Sequence, residues 1–440
     1  MLDINFIRKN PKIVKETCRN KKVDPSIVDQ VLDLDKKRRS VLQNLESLLA
    51  QKNKTNKEIV AIKDPAQKQT IIARMKKIST EAGKLQEDLR VVEQEFIYLA
   101  QEIPNLVLED VPIGRDARDN KIIRRWGRLT SFDFKPKDHM KLGENLDIID
   151  TKKAAKITGS RFAYLKNAAA LLEIALIHYT FDILMNKKII KKIANSVENG
   201  YNDKIFTPVF PPAMIRPDIF RKMARLSESD KDERYYLQKD NLYLVGSAEH
   251  TLGPMHMNEI LAEEDLPIRY AGFTTNFRRE AGSYGKDVHG ILRMHQFDKI
   301  EMLSFTAPEN SRKEQDFFVA VQEYLVQSLK IPYQVVIMCT GDMSGPDARQ
   351  IDIECWMPSQ NCYRETHTAD LMTDYQARRL NTRLRRRDGK LEFVHMNDAT
   401  AFAIGRTLIA IFENYQRKDG SIKVPKILQK YSELTEIKKK

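Results

Sequence analysis

Apolar residues recur every three or four positions between residues 42 and 99, which predicts two long amphipathic helices. In the second half of this stretch, spacings of four and three alternate without a break, as in helices that pack side by side. The members of this heptad seam are Ile71, Met75, Ile78, Ala82, Leu85, Leu89, Val92, Phe96 and Leu99. The first half repeats at Leu42, Leu45 and Leu49, and less strictly through Lys52 and Asn56 to Ile59. Asp64-Pro65 separates the halves, because proline ends one helix and suits the start of the next. The pattern therefore predicts an antiparallel hairpin of two helices of about 35 residues, each roughly 50 Å long.

The pattern changes after the hairpin, which Pro104, Pro112 and Gly114 bring to an end. Residues 168–186, AAALLEIALIHYTFDILMN, predict one buried helix, whereas QVVIMCT, RQIDIECWM and LEFVHM are typical of strands. Loops separate these segments without regular βαβ spacing, so we expect an antiparallel sheet with helices packed on it. The predicted fold class is α+β, with a helical-hairpin domain over residues 1–110 and a sheet domain over residues 111–440.

Two neighbouring strand-like segments carry polar residues with period two. One face of the first holds Thr274, Asn276, Arg278 and Glu280, and one face of the second holds Arg293, His295, Phe297, Lys299 and Glu301. Gly282, Gly285 and Gly290 provide a loop that reverses the chain between them. Guanidinium groups match phosphate oxygens, and an aromatic ring can stack on a base. The pattern favours a nucleotide site, with a solvated edge hairpin as the alternative.

The net charge of +13 favours a polyanionic partner, although a lysine-rich proteome gives the same total. Residues 50–78, the distal part of the hairpin, carry eight basic and two acidic side chains. The rest of the hairpin, residues 29–49 and 79–101, carries six basic and nine acidic ones. A basic tip on an acidic base predicts nucleic-acid contact, against the alternative of a solvated helix surface. The candidate contacts are Lys52, Lys54, Lys57, Arg74, Lys76 and Lys77.

Cysteine spacing and hydropathy indicate the compartment. Cys18, Cys339, Cys355 and Cys362 form no CxxC pair, so neither a zinc knuckle nor a disulfide framework is indicated. No apolar run reaches the roughly 18 residues that a membrane span requires. The N-terminal segment is amphipathic but lacks the apolar core of a signal peptide. We therefore expect a cytoplasmic protein that has no membrane partner.

The polar hairpin also carries a family resemblance. FRREAGSYGKDVHGILRMHQFDKIEM resembles motif 2 of the class II aminoacyl-tRNA synthetases, in the form found in seryl-tRNA synthetases. GRTLIAIFENYQ resembles motif 3 of that family, so motif 2 spans about residues 270–302 and motif 3 about residues 403–416. The N-terminal MLDINFIRKNPKIVKE, VPIGRDARDNKIIRRWG and DIECWMPSQNCYRE resemble the same family. The resemblance covers essentially the whole chain.

The resemblance implies a fold, a reaction and partners. The fold is the class II antiparallel sheet flanked by helices. The reaction joins L-serine to ATP as seryl-adenylate, then transfers serine to the 3′ end of tRNA(Ser), and of tRNA(Sec) where that tRNA is present. GYNDKIFTPVFPP, at residues 200–212, loosely matches motif 1, which implies a homodimer. The helical hairpin implies contact with the long variable arm of the tRNA.

The family pattern assigns roles in ATP binding residue by residue. Arg278 would hold the α-phosphate and the substrate carboxylate, and Glu280 would read the adenine edge. Phe297 would stack on adenine, with core packing as its alternative role. Arg406 would cover the other face of adenine or grip the γ-phosphate. Two further candidates are Arg293, for phosphate, and Arg279, with a backbone or peripheral role.

The same pattern assigns the amino-acid site. Glu301 would bind the serine hydroxyl, and such a contact rejects alanine because it leaves polar groups unpaired. GSAEH stands where the family has Thr-Ala-Glu, so Ser247, Ala248 and Glu249 are candidates for the serine amino group and backbone.

The segment before motif 3 departs from the family, because NDATA stands where the family has LNGSG. Thr400 takes the position of the serine-contacting hydroxyl, and Asp398 takes the position of an asparagine. Either the turn shifts by one residue, so that Asn397 takes the asparagine position, or Asp398 stays there and adds a negative charge to the site.

ETHT occupies the family's Glu-Ile-Ser-Ser position, which makes Glu365, Thr366, His367 and Thr368 ATP-binding candidates. Mg²⁺ prefers hard oxygen ligands, so Glu365 and Thr368 are the candidate metal ligands. A packing role is the better interpretation of the His367 imidazole. No zinc is expected, because Cys355, Cys362 and His367 match no closed set of ligands.

Two other interpretations stay open at this point. A synthetase-like paralogue would transfer the activated amino acid to an acceptor other than tRNA, although it would have no use for a basic arm. A non-catalytic RNA-binding protein could also keep this scaffold, although retained charges such as Arg278, Glu301 and Arg406 speak against it.

Overall fold

The computed structural model describes residues 1–61, 63–227, 230–280 and 290–439, with the side chain of residue 61 left aside. The chain forms two compact units, Met1–Pro104 and Asn105–Lys440. The sequence placed the domain boundary a few residues later, between residues 110 and 111.

The first unit is helical. Its helices are α1 (Ile4–Lys9), α2 (Pro11–Asn20), α3 (Ser26–Ala61) and α4 (Pro65–Ala100). Helices α3 and α4 contain 36 residues each and form the predicted antiparallel hairpin. The carboxylate of Asp64 accepts a hydrogen bond from the Ala66 N–H at 3.0 Å, and Pro65 occupies the first turn, where no N–H is required. Asp64-Pro65 therefore starts the second helix as the sequence predicted.

The heptad seam was predicted well for α4 and only in part for α3. All nine predicted seam residues of α4 are buried or half-buried. In α3, Leu42 and Leu49 are 39% and 37% exposed and Asn56 is exposed, so these three assignments were wrong. The residues of α3 that lie on the packed side are Leu45, Leu48, Lys52, Thr55 and Ile59. Thr55 tolerates burial because its hydroxyl donates to the Gln51 carbonyl at 2.9 Å. A search for apolar residues could not find this position, because threonine is polar.

The second unit is an α+β domain. Its helices are α5 (His139–Asn145), α6 (Thr151–Thr158), α7 (Ala168–Leu184), α8 (Lys187–Val197), α9 (Pro217–Lys222), α10 (Glu249–Leu252), α11 (Ser311–Ser328), α12 (Tyr375–Leu380), α13 (Ile404–Asn414) and α14 (Lys426–Ser432). Its first strands are β1 (Lys121–Trp126), β2 (Ile149–Asp150), β3 (Tyr164–Leu165), β4 (Thr207–Val209), β5 (Met214–Ile215), β6 (Tyr236–Leu237), β7 (Leu242–Leu244), β8 (Ile260–Ala262) and β9 (Ile268–Phe277). The others are β10 (Gln296–Thr306), β11 (Tyr333–Ile337), β12 (Arg349–Met357), β13 (Cys362–Thr373), β14 (Arg383–Arg385), β15 (Leu391–Phe393), β16 (His395–Ala403), β17 (Ile422–Lys423) and β18 (Glu436–Ile437).

An eight-stranded sheet organises this unit, in the order β1-β11-β12-β13-β16-β10-β9-β4. Its neighbouring strands pair antiparallel except for β4 and β9, which are parallel. Helix α11 packs on β13 and β16, and α13 packs on β10 and β12. The predicted antiparallel sheet with helices packed on it is confirmed. Its central strands β13, β16, β10 and β9 carry the candidate site residues side by side.

The polar hairpin consists of β9 and β10, which pair antiparallel with Phe297 opposite Asn276. The loop glycines Gly282 and Gly285 lie outside the described residues. Strand β9 ends at Phe277 and β10 begins only at Gln296, so Arg293 and His295 do not continue the strand face as expected. His295 instead packs with its ring centroid 5.4 Å from that of Phe162. The prediction applied the period-two pattern of a strand to residues 293–295, which lie before β10 begins.

Helix α7 forms where the sequence predicted a buried helix, but only part of its surface is buried. Leu171 and Ile174 are 45% and 61% exposed, so the prediction of complete burial was wrong for that face. Among the described residues, no single helix is long and apolar enough to cross a membrane, and one bent pair, α7 with α8, meets that test by length and composition alone.

Candidate active site

A cavity of about 460 Å³ lies in the second unit, where β9, β10, β13 and β16 meet the start of α13. The predicted site residues that line it are Glu249, Arg278, Glu280, Arg293, Phe297, Glu301, Glu365, Thr366, Thr368, Asp398, Thr400 and Arg406. Four predicted residues do not line it, namely Ser247, Ala248, Arg279 and His367. The two sequence motifs are thus brought together around one space.

Arg278 is oriented by a backbone carbonyl. Its Nε and Nη2 donate to the Gly246 oxygen at 3.1 and 3.0 Å, and its guanidinium carbon lies 5.3 Å from the centre of the Phe297 ring. The neutral carbonyl orients the Arg278 guanidinium without neutralising its positive charge, so the guanidinium can still attract an anion. A Cβ at Gly246 would lie 2.6 Å from the Arg234 Nη1, so a larger residue there would have to displace that guanidinium.

Glu280 is held at the mouth of the hairpin. Its backbone has a φ of 54°, a left-handed conformation that is uncommon outside glycine. The Arg161 Nη1 donates to its carbonyl oxygen at 2.7 Å, and Arg293 Nη1 donates to its carboxylate at 3.0 Å. Arg279 turns the other way, with its guanidinium carbon 5.2 Å from the Tyr235 ring centre, and does not line the cavity. The peripheral role expected for Arg279 fits this position.

Arg406, in α13, is paired with Glu365 of β13. Its Nη1 lies 3.0 Å from Glu365 Oε1 and donates to the Glu365 carbonyl oxygen at 2.9 Å. Desolvation alone would raise the pKa of Glu365, but the charge of Arg406 outweighs it and holds that pKa below its usual value. A cation and a carboxylate therefore face the cavity together.

The candidate metal position contains a carboxylate that sequence analysis missed. Asp352 of β12 accepts a hydrogen bond from the Thr368 hydroxyl. Burial, together with the negative charge of Glu365, raises the pKa of Asp352 well above its ordinary value. Two repelling carboxyl groups and a hydroxyl are hard oxygen donors, so these residues fit Mg²⁺. Among the described residues, no group of three or more His, Cys, Asp or Glu side chains is arranged around a metal position, so phosphates and water would complete the coordination.

The His367 side chain does not line the cavity. Its ring centroid is 5.3 Å from that of Phe402, and its Nδ1 is 2.7 Å from the Thr366 hydroxyl. Burial lowers the pKa of His367 to about 3, so the imidazole is neutral. The packing role favoured from the sequence agrees with this position.

Glu301 is the centre of a buried polar group. It lies on β10, opposite Thr400 of β16, and its Oε1 accepts hydrogen bonds from Ser247 Oγ at 3.1 Å and from Thr400 Oγ1 at 3.2 Å. The ammonium group of Lys299 contacts the same oxygen. Burial raises the pKa of Glu301. Ser247 therefore supports Glu301 from behind, and Ala248 packs in the apolar core beside Leu252 and Met223.

The NDATA segment keeps its register. Asp398 lines the cavity, while the Asn397 amide donates to the Ser311 carbonyl oxygen at 2.9 Å on the other side of β16. The turn is therefore not shifted. Burial and the charges of Glu249 and Asp370 raise the pKa of Asp398 well above its ordinary value. The aspartate at this position therefore gives up its negative charge more readily than an exposed one.

Sequence analysis missed several residues that line the cavity. Asp370 follows the metal candidates on β13, and its alternation with Ala369 and Leu371 is the signal that could have found it. Arg225 lies in the loop after α9, where no periodicity marks a residue as buried. Only the three-dimensional fold brings it to the cavity.

Charge is divided within the cavity. Arg278, Arg293 and Arg406 line the cavity beside two carboxylates, Glu280 and Glu365. Glu249, Asp370 and Asp398 instead surround one arginine, Arg225, so carboxyl groups are in excess there. Such a site suits a ligand pair that presents phosphate at one end and an ammonium group at the other.

Two family models match the chain. The seryl-tRNA synthetase N-terminal domain matches residues 1–107. The tRNA synthetase class II core domain (G, H, P, S and T) matches residues 233–415.

Similar proteins align over the whole chain. The serine–tRNA ligase of Dictyoglomus thermophilum is 40% identical over 442 residues and 100% of both chains. The solved structure of seryl-tRNA synthetase from Pyrococcus horikoshii complexed with ATP has a TM-score of 0.88 at 37% identity, over 99% of each chain. The cytoplasmic serine–tRNA ligase of Naegleria fowleri in complex with AMP has a TM-score of 0.84 at 30% identity, over 100% of this chain and 99% of the other.

The two buried histidines near the cavity should stay neutral in mildly acidic solution. Burial lowers the pKa values of His250 and His367 to about 3. Unfolding would let both take up protons near their ordinary pKa of about 6.5, so their contribution to stability is complete above that pH and falls as the pH drops towards 3. Side-chain ¹⁵N chemical shifts should show no titration of either ring between pH 8 and 5. A midpoint near 6.5 for one of these rings, assigned with His250→Gln and His367→Gln, would contradict the buried arrangement.

Proposed function

The chain belongs to the seryl-tRNA synthetase family, and we propose that it is a serine–tRNA ligase, which activates L-serine with ATP and transfers it to tRNA. The observation that carries the proposal is the single cavity that joins Arg278 and Arg406 to the Glu301–Thr400 pair. Phosphate-binding cations and a hydroxyl-binding carboxylate within one space are what a serine-activating site requires.

In the first step, a carboxylate oxygen of serine attacks the α-phosphorus of ATP. The new P–O bond forms as the bond to the β-phosphate oxygen breaks, and pyrophosphate leaves. Arg278 bridges the serine carboxylate and the α-phosphate, which aligns them and offsets the charge of the pentacoordinate phosphorus. No covalent intermediate with the protein is needed, so positioning and charge supply the rate enhancement.

Serine is selected at the other end of the cavity. The hydroxyl of serine joins the hydroxyls of Ser247 and Thr400 around Glu301, while the ammonium group faces Glu249. Alanine has no hydroxyl to join this buried polar group, so it lacks the hydrogen bonds that serine makes there. The methyl group of Thr400 also limits the space beside the hydroxyl.

ATP lies over the hairpin. Adenine stacks on Phe297, with Glu280 at its edge and Arg406 on its other face or at the γ-phosphate. Arg293 orients Glu280 and adds positive charge near the phosphates. Glu365 and Thr368 would hold Mg²⁺, and the Asp352 carboxyl group accepts a hydrogen bond from Thr368. When bound there, Mg²⁺ supplies further positive charge to the phosphate oxygens.

In the second step, a hydroxyl of the terminal ribose of tRNA attacks the carbonyl carbon of seryl-adenylate, and AMP leaves. The tRNA is tRNA(Ser), and tRNA(Sec) where it is present. The basic distal part of the α3–α4 hairpin binds the phosphates of the long variable arm. Its six candidate contacts are exposed except Lys52, which is half-buried. A cytoplasmic location is consistent with this reaction.

A homodimer accounts for the apolar surface of the second unit. Phe210, in the motif 1 region, is 77% exposed, and Ile174 of α7 is 61% exposed. Both apolar side chains are available to pack against a second copy of the chain. Sedimentation equilibrium should give twice the mass of one chain, and Phe210→Asp should shift that mass towards one chain. A monomer in the unsubstituted protein would contradict the homodimer.

Arg278→Ala should reduce serine-dependent ATP–pyrophosphate exchange by roughly 100-fold or more, because the variant loses the cation that bridges the reacting groups. Arg279→Ala is the matched control, since the neighbouring guanidinium faces Tyr235 outside the cavity. Unchanged far-ultraviolet circular dichroism and melting temperature would show that both variants are folded. Near-normal exchange by folded Arg278→Ala would contradict the proposed role.

The basic arm should affect tRNA and not serine activation. Replacing Lys52, Lys54, Lys57, Arg74, Lys76 and Lys77 by Gln removes six positive charges from the distal hairpin. The KM for tRNA should rise and its dependence on salt should weaken, because fewer phosphate counterions are released on binding.

The control for the arm variant replaces Lys84 and Arg90, which lie on the acidic base of the hairpin, by Gln. It should leave the KM for tRNA near that of the unsubstituted protein. Loss of adenylate formation in the distal variant would mean that the arm has a structural role instead.

A further inference from the structure

The amino-acid end of the cavity rests on four carboxyl groups around one guanidinium. Arg225 Nε lies 2.9 Å from Glu249 Oε1, and its Nη2 donates to Glu249 Oε2 at 3.2 Å. The same Nη2 is 3.4 Å from Asp370, 3.7 Å from Asp398 and 3.8 Å from Asp347. The Arg225 side chain is 11% exposed and the four carboxyl side chains are 9% exposed or less. The proposed function gives Arg225 no role.

One buried cation cannot compensate four buried anions, so charge in the cluster must be unevenly distributed. Glu249 is nearest to Arg225, and although burial acts to raise its pKa, the charge of Arg225 holds that pKa well below its ordinary value. Burial and neighbouring carboxylates raise the pKa values of Asp370 and Asp398 well above their ordinary range. Glu249 is the carboxylate closest to Arg225, which contacts both of its oxygens, whereas Asp398 lies further from the guanidinium.

We propose that Arg225 is a positioning residue for the amino-acid substrate, because its guanidinium holds the Glu249 carboxylate ionised and in place to receive the substrate ammonium group. Asp398 is its coupled partner in this arrangement. The inference rests on the proposed function, since it takes the ammonium group of serine as the ligand of Glu249.

The geometry explains why a guanidinium is suited to this position. Its Nη2 donates to one oxygen of Glu249 at 3.2 Å and its Nε lies 2.9 Å from the other, so one planar cation contacts both carboxylate oxygens. Without that fork, Glu249 would share a buried proton with Asp398 and lose the negative charge that attracts ammonium. The ATP end of the cavity uses Arg278, Arg293 and Arg406, so it should be little affected.

The test is a double-mutant cycle on the full chain in ATP–pyrophosphate exchange. Arg225→Gln should raise the KM for serine by roughly tenfold or more, with the KM for ATP changed by less than about twofold. Arg225→Lys should give an intermediate KM, because an ammonium group keeps the charge and loses the fork. Lys222→Gln, one helix residue outside the cavity, is the matched control and should behave as the unsubstituted protein.

Coupling to Asp398 provides the second arm of the test. The Arg225→Gln variant leaves four buried carboxyl groups without their cation, and adding Asp398→Asn removes one of these acids. The KM for serine in the double variant should therefore rise by less than the product of the two single effects. Melting temperatures of all variants separate this outcome from unfolding. If Arg225→Gln does not fold, the Arg225→Lys variant still tests the proposal through the KM for serine.

Three results would overturn the inference. One is an unchanged KM for serine in folded Arg225→Gln. The second is an equal rise in the KM values for serine and ATP, which would indicate a general structural role. The third is strict multiplication of the single effects in the double variant. An unsubstituted protein that exchanges with another amino acid and not with serine would instead overturn the proposed function, and the same cycle run with that amino acid would still test Arg225.

Discussion

Pairing of buried charge is the constraint on which the candidate site depends. Arginines and carboxylates converge on one cavity, and an ion that leaves water without a partner costs several kcal/mol by order of magnitude. Each charged side chain is therefore bonded: Arg278 to a carbonyl, Arg406 to Glu365, and Arg225 to Glu249. These contacts fix the side chains before any ligand arrives, which is the condition for electrostatic catalysis without reorganisation.

The antiparallel sheet makes this pairing possible. Adjacent strands place residues that are distant in sequence opposite one another, so Glu301 of β10 meets Thr400 of β16 across a single pair of strands. Asp352 of β12 and Thr368 of β13 meet in the same way. The cations come from outside the sheet pairs, from the end of β9 and from α13. The groups proposed to bind phosphate and the serine hydroxyl thus share one sheet, and the tRNA-binding role is proposed for the helical unit.

Much of the fold could be predicted from the sequence, because the hairpin, strand β12 and helix α7 have clear periodicity. The buried face of α3 could not be predicted in the same way, because it includes a polar residue, Thr55, whose hydroxyl donates to a backbone carbonyl of its own helix. In the site, period two identified Arg278, Phe297 and Glu301, and family resemblance added Glu365, Thr400 and Arg406. His367, Ser247 and Ala248 do not line the cavity, because matching a motif does not tell which way a side chain points. Arg225 and Asp352 were missed because their roles arise from partners that lie far away in the sequence.

The identity of the activated amino acid is the most direct test of the proposed site. ATP–pyrophosphate exchange of the purified full chain, without tRNA, should be measured with serine, threonine, alanine, glycine and cysteine offered separately. The Glu301–Thr400 pair and the ammonium-binding Glu249 predict exchange with serine alone. Exchange with a different amino acid would contradict the assigned serine pocket. No exchange with any of the five by folded protein that binds ATP would contradict the adenylation reaction itself.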